Sequence, residues 1–340
     1  MRGRMGDRIR KRENSPTEIL NFMGQTRDSI DRRGGVAANG RSPGCRILVL
    51  LLLPLAAIAL AGPAFAFKLA PYKDKLFQYP KILDTGAGGA FEHVDYSKQR
   101  DLYGRDEVLE IRAHRRYVSL KPARRQKNLT LEVGGRTLKY IGLGKLDGRA
   151  KAVVIYVHGQ GGSRLQGSND WTFGGNFNRI KNLMLRNDGV YVSTDISDFG
   201  PKGRDDVKAL MQSFAARSPG APIFVACGSM GGHVCWSLIK DREAARLLGG
   251  ILLLGSVSDR DFLGSAAFTG GARPVPIYLG HGSEDNVFDW RSQEAFFKTV
   301  KTRRPDYPIR FTLFETGSHG TPIRMTDWRL ILNWMLAAGS

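Results

Sequence analysis

The chain has 340 residues, 42% of them apolar and 24% charged, which suits one large folded domain with additions and excludes a low-complexity or fibrous protein. Its 51 Lys/Arg outnumber 32 Asp/Glu for a net charge of +19; from Phe67 onward the balance is 40 basic to 27 acidic residues. Such a basic body can make transient contact with an anionic membrane surface. The chain carries no nucleic-acid-binding motif, so nucleic acid is not an expected partner. Its three cysteines, Cys45, Cys227 and Cys235, are too few for a disulfide framework, and the last two read as small buried apolar residues. Its six histidines are scattered without zinc-ligand spacing, so neither a metal nor another cofactor is expected.

Residues 1–46 are rich in Arg, Gly and Ser without apolar periodicity and read as a disordered basic leader. Ile47 to Ala61 is an uncharged apolar run, followed by Gly62-Pro63-Ala64-Phe65-Ala66. A basic flank, an apolar core and an Ala-x-Ala site form the pattern of a secretory signal peptide, with cleavage expected after Ala66 and export to the periplasm or medium. The alternative is an uncleaved anchor over residues 47–67.

Residues 67–127 show no sustained period and are expected to be an N-terminal extension packed on the domain surface. From Asn128 the pattern sharpens, and a main domain is expected over 128–340. Leu129, Leu131 and Val133 alternate with polar residues, Gly134-Gly135 makes a turn, and Thr137 to Leu143 returns as the second strand of a hairpin. Ala152 to Val157 is nearly all apolar, as in a strand buried on both faces. Helix and strand signals then alternate. Helices are expected at 177–186, around 207–214, and at 234–248, 291–301 and 325–336. Strands are expected at 190–196, 223–226, 250–257, 275–279 and 309–314. This alternation implies an α/β fold, with a mostly parallel central sheet, helices on both faces and chemistry at the carboxyl ends of the strands.

Three strand ends run into small-residue loops that carry reactive side chains. Cys227-Gly228-Ser229-Met230-Gly231-Gly232 follows one strand, Gly280-His281-Gly282-Ser283-Glu284-Asp285 the next but one, and Gly317-Ser318-His319-Gly320 the last. A tight strand-to-helix turn flanked by glycines lifts a serine hydroxyl clear of the backbone. With the order serine, acid, histidine, the chain from about Asn128 to the C-terminus resembles the α/β-hydrolase superfamily. The resemblance implies Ser229 as nucleophile, His319 as base and Asp285 as the acid that orients it, because a free hydroxyl needs a base and the base needs a fixed tautomer. Rival acids are Glu284, Asp289, Asp259 and Asp261. The oxyanion donors implied are the backbone N–H groups of Met230 and Gln160. His158 and His281 read as structural, and His233 as packing.

The chain departs from the Gly-x-Ser-x-Gly pattern of the superfamily at Cys227, which is small enough for the turn. Only about 15 residues separate Val257 from Arg273, too few for a large cap domain. The loop from Ser163 to Asn176, with Trp171 and Phe173, lines the pocket or joins the core. The expected function is an exported serine hydrolase acting on a small-molecule or lipid ester, of carboxylesterase or lysophospholipase-like type. A thioesterase or peptidase would use the same triad, and a non-catalytic binding protein could keep the scaffold. The residues do not give the oligomeric state.

Overall fold

A computed structural model describes residues 67–339. The basic leader, the apolar segment and its cleavage site lie outside the described residues. The strands are β1 (Ile82–Gly86), β2 (Phe91–Val94), β3 (Asp106–Val108), β4 (Arg112–Ala113), β5 (Lys127–Val133), β6 (Arg136–Gly144), β7 (Val153–Val157), β8 (Val190–Thr194), β9 (Ile223–Gly228), β10 (Leu248–Leu254), β11 (Ile277–Gly282) and β12 (Ile309–Phe314). The helices are α1 (Asp74–Phe77), α2 (Arg164–Ser168), α3 (Asn176–Arg186), α4 (Pro201–Arg217), α5 (Gly232–Lys240), α6 (Arg242–Leu247), α7 (Ala266–Thr269), α8 (Trp290–Arg303), α9 (Thr321–Met325) and α10 (Trp328–Ala338).

Ten strands form one sheet in the order β1-β2-β12-β11-β10-β9-β7-β8-β6-β5, while β3 and β4 pair separately. From β2 to β8 every neighbouring pair is parallel. Antiparallel pairs close both edges, β1 on β2 and the β5–β6 hairpin on β8. The fold class is therefore the expected one, α/β with a mostly parallel central sheet and helices on both faces.

Successive strand residues face opposite sides, and the core divides accordingly. Val153, Ile155, Val225, Cys227, Ile251 and Leu253 pack with α4, α5 and α8 on one face. Val154, Tyr156, Phe224, Ala226, Leu252 and Leu254 pack with α3 and α10 on the other. Strands buried on both faces must be apolar at every position, as these sequences are.

Two helices expected to be continuous are broken by capping aspartates. Asp241 accepts the N–H groups of Glu243 and Ala244, ending α5 and starting α6. Asp327 accepts the N–H of Leu330 and separates α9 from α10. A capping carboxylate satisfies donors left free at a helix start, so each marks a new helix inside an otherwise helical pattern.

Residues 67–127 do more than lie on the surface. Their β2 pairs with β12, Phe91 beside Phe311 and Val94 beside Phe314, and extends the sheet. The segment then crosses to the carboxyl ends of the strands. There Arg105, 4% exposed, donates from Nε to the Gly174 carbonyl at 2.9 Å. Between β10 and β11 lie a short 3-10 turn, Arg260–Gly264, and the four-residue α7.

Candidate active site

Ser229 begins a single 3-10 turn, Ser229–Gly231, between β9 and α5. Its φ of 50° is left-handed, a conformation that costs a non-glycine residue energy and persists only where the surroundings enforce it. Those surroundings are tight. A Cβ on Gly159 would lie 2.7 Å from the Ser229 Cβ, and one on Gly232 would collide with Ser256. The Ser256 hydroxyl donates to the Ser229 carbonyl at 2.6 Å.

The structure brings Ser229, His319 and Asp285 together from the ends of β9, β12 and β11. Asp285 Oδ2 lies 2.8 Å from His319 Nδ1. A carboxylate only accepts, so Nδ1 carries the proton and Nε2 is left with its lone pair. Nε2 lies 2.9 Å from Ser229 Oγ, placed to accept the hydroxyl proton. The His319 side chain is 28% exposed and that of Asp285 is fully buried.

Asp285 accepts four donors. Its Oδ1 takes the N–H groups of Val287 (2.8 Å) and Phe288 (3.1 Å). Its Oδ2 faces His319 and also His281 Nε2, at 3.2 Å. Burial acts to raise the Asp285 pKa, but the bonds from His281, His319, Val287 and Phe288 together outweigh it and hold the carboxyl well below the ordinary range. The group stays ionised beside His319.

The other candidates are placed as follows. None of the rival acids bonds to His319: Glu284 reaches Lys98 at 3.6 Å, Asp289 caps α8, and Asp259 pairs with Lys240 at 2.6 Å and caps the turn containing Asp261. His158 is buried and donates from Nδ1 to the Gly159 carbonyl at 2.7 Å, beside Ser229. Gln160 follows on that loop, and Met230 lies in the 3-10 turn. His233 does not pack as expected: it is exposed on α5, because its position points away from the sheet.

Cys227 and Cys235 correct the reading of two separate apolar residues. They form a disulfide, with Cα atoms 6.3 Å apart. Cys227 is the penultimate residue of β9, on the face toward α5, and Cys235 lies on α5 facing back, so the pair bridges the strand and helix that flank Ser229. The small residue at the departure from the superfamily pattern is thus half of a crosslink. Sequence reasoning also missed the part of His281. Its Nε2–H faces both the Phe288 carbonyl, at 2.9 Å, and Asp285. The available signal was its place four residues before the acid, at the end of the strand that leads into the acid's loop.

Aromatic rings border His319 and His158. Phe288 lies 5.6 Å from the His319 ring, and Phe199 lies 6.3 Å from that of His158. Phe173, itself left-handed at φ 51°, lies against Gly320 and Phe177, so its loop serves both the site rim and the core.

No protein-family model matches the chain, and no curated protein matches its sequence. Several solved structures resemble its fold. An alpha-beta serine hydrolase homologue from Coxiella burnetii is 14% identical, with 61% of this chain and 95% of that one covered and a TM-score of 0.44. An a/b serine hydrolase without lid from Xanthomonas campestris is 18% identical over 63% and 94%, TM-score 0.45. An esterase from Pyrococcus furiosus is 14% identical over 65% and 94%, TM-score 0.47.

Proposed function

We propose that the protein is an exported serine hydrolase that cleaves a carboxylic ester through an acyl-enzyme. One relationship carries the reading: His319 bridges Ser229 Oγ and the buried Asp285 carboxylate at 2.9 and 2.8 Å. Ser229 Oγ attacks the ester carbonyl carbon as its proton passes to His319 Nε2. The N–H groups of Met230 and Gln160 receive the developing oxyanion, a type of contact worth about 2.7–4 kcal/mol per donor. His319 then protonates the departing alkoxide, and the alcohol leaves the acyl-enzyme. Water adds to the acyl carbon with His319 as base, releasing the acid and restoring Ser229. Asp285 stabilises the imidazolium in both halves. The Phe173 and Phe288 rings favour an apolar group on the substrate, and the short segment between β10 and β11 favours an open site without a large cap.

Export accords with the apolar segment over 47–66, and the Cys227–Cys235 bridge suits an oxidising compartment. The test is labelling by a fluorophosphonate probe of protein beginning at Phe67. Wild type is expected to label and Ser229→Ala is not. Well-folded wild type that fails to label would overturn the reading in favour of a binding protein on this scaffold. Esters, thioesters and amides of graded chain length then separate carboxylesterase, thioesterase and peptidase.

A further inference from the structure

We infer that the rim opposite the serine is a docking surface for an anionic phospholipid bilayer. Tyr72, Lys121, Arg124, Arg125, Leu185 and Arg186 line a groove of about 650 Å³ at the C-terminal end of α3. Arg124, Arg125 and Leu185 also line a second groove, of about 520 Å³, which continues to Lys127 and Lys145. Among the described residues, Lys121, Arg124, Arg125, Lys127 and Arg186 pair with no carboxylate. Asp188, the acid among these lining residues, is already held by Lys145 at 3.7 Å and Lys151 at 3.3 Å.

The start of the described chain reaches the same rim. The Ala70 N–H donates to the Asn187 side chain at 2.7 Å, one residue from Arg186, whose guanidinium lies 5.6 Å from the Tyr72 ring centre. Phe67, directly after the apolar segment in sequence, has Lys151 above its ring at 6.0 Å. Five unpaired cations spread over two adjoining grooves match a sheet of headgroups better than a single small anion, which needs donors converging on one point. The half-exposed Leu120 at the groove rim adds an apolar contact. Each cation near an anionic surface strengthens binding by roughly fivefold, an effect that salt weakens.

The orientation has a consequence for the reaction. Lys127 opens β5, Gly144 ends the antiparallel β6 and Gly189 precedes β8, so the second groove sits at the amino ends of the parallel strands. Ser229 follows the carboxyl end of β9. Docked by this rim, the protein turns its serine toward the aqueous side, and substrate arrives from solution. This last consequence rests on the hydrolase reading; the docking itself does not.

The test is co-flotation of the full chain with vesicles of phosphatidylcholine alone or mixed with phosphatidylglycerol, at low and high salt. The triple variant Arg124→Gln/Arg125→Gln/Arg186→Gln is compared with the charge-matched Arg242→Gln/Arg246→Gln/Arg260→Gln on other surfaces. The gain in binding given by phosphatidylglycerol is expected to fall about a hundredfold in the first variant and little in the second. Equal losses in both would mean that net charge alone acts, and no loss in the first would remove the groove; either overturns the proposal. Displacement by inorganic phosphate at constant ionic strength would overturn it in favour of a soluble anion. Thermal unfolding and fluorophosphonate labelling of both variants report separately on the fold and on Ser229.

Discussion

Asp106 and Arg324 meet in a buried two-pronged ion pair, Nη1 to Oδ1 at 2.9 Å and Nη2 to Oδ2 at 2.8 Å, that ties the N-terminal segment to α9, the helix immediately after His319. Removing one partner strands the other charge in a dry site, at a cost of about 3–5 kcal/mol. Asp106→Asn is therefore expected to lower the unfolding free energy by about that amount, read by denaturant titration. Asp106→Leu/Arg324→Met, which removes both charges, is expected to recover most of the loss. A double variant as unstable as the single one would show that the pair is not the source.

Asp285→Asn is expected to cut kcat by about 10⁴-fold, because an amide can favour the wrong tautomer of His319. It should also change the acid response. The folded-state pKa of Asp285 is depressed, so its contribution to stability is complete above the ordinary carboxylate value of about 3.9 and is lost as pH falls below it. Unfolding free energies of wild type measured downward from about pH 4 should fall more steeply than those of the variant. Parallel curves would contradict the assignment.

His281 touches the acid and not the serine, so its effect should appear in kcat. His281→Ala removes the N–H that faces Asp285 and is expected to lower kcat roughly ten- to hundredfold, the range for one hydrogen bond to a charged group. KM should hardly move. His281→Gln, which can present an N–H at a similar reach, is expected to restore part of kcat. A change confined to KM would refute this role.

The Cys227–Cys235 bridge encloses a short loop, with a sequence separation of 8, for which chain-entropy arguments give about 2.5 kcal/mol. Cys227→Ala/Cys235→Ala is expected to unfold about 5–10 °C lower than oxidised wild type. Both cysteines are fully buried. Dithiothreitol should therefore reach the native bridge only after local opening, and its reduction should track that opening. Rapid reduction of the folded protein would show that the turn opens freely.

The grouping of Ser229, Asp285 and His319 was legible because each follows a strongly apolar strand and falls among small residues. Two features were hidden for different reasons. β1 is largely exposed and β2 is only four residues long, so neither leaves the alternation or apolar run by which a strand is recognised. They are strands because β12 offers an open edge, which local sequence cannot report. The disulfide was hidden because a cysteine at the end of β9 satisfies the same small, apolar requirement as an unbonded residue there. His281 was legible as a residue but not as a partner, since its bond to Asp285 depends on how the loop after β11 folds back.

Two contacts join the early part of the described segment to its late part. Leu69 bonds to Asn333, and His93 on β2 bonds to Glu315 just beyond β12. A chain still emerging from the ribosome or from a translocation channel cannot make these contacts, because its C-terminal partners are not yet available. If residues 47–66 direct the chain across a membrane, as proposed, this delay would leave β2 without its β12 partner during transit. That edge of the sheet would form only once β12 had emerged, and the pair joining Asp106 to Arg324 would follow with α9.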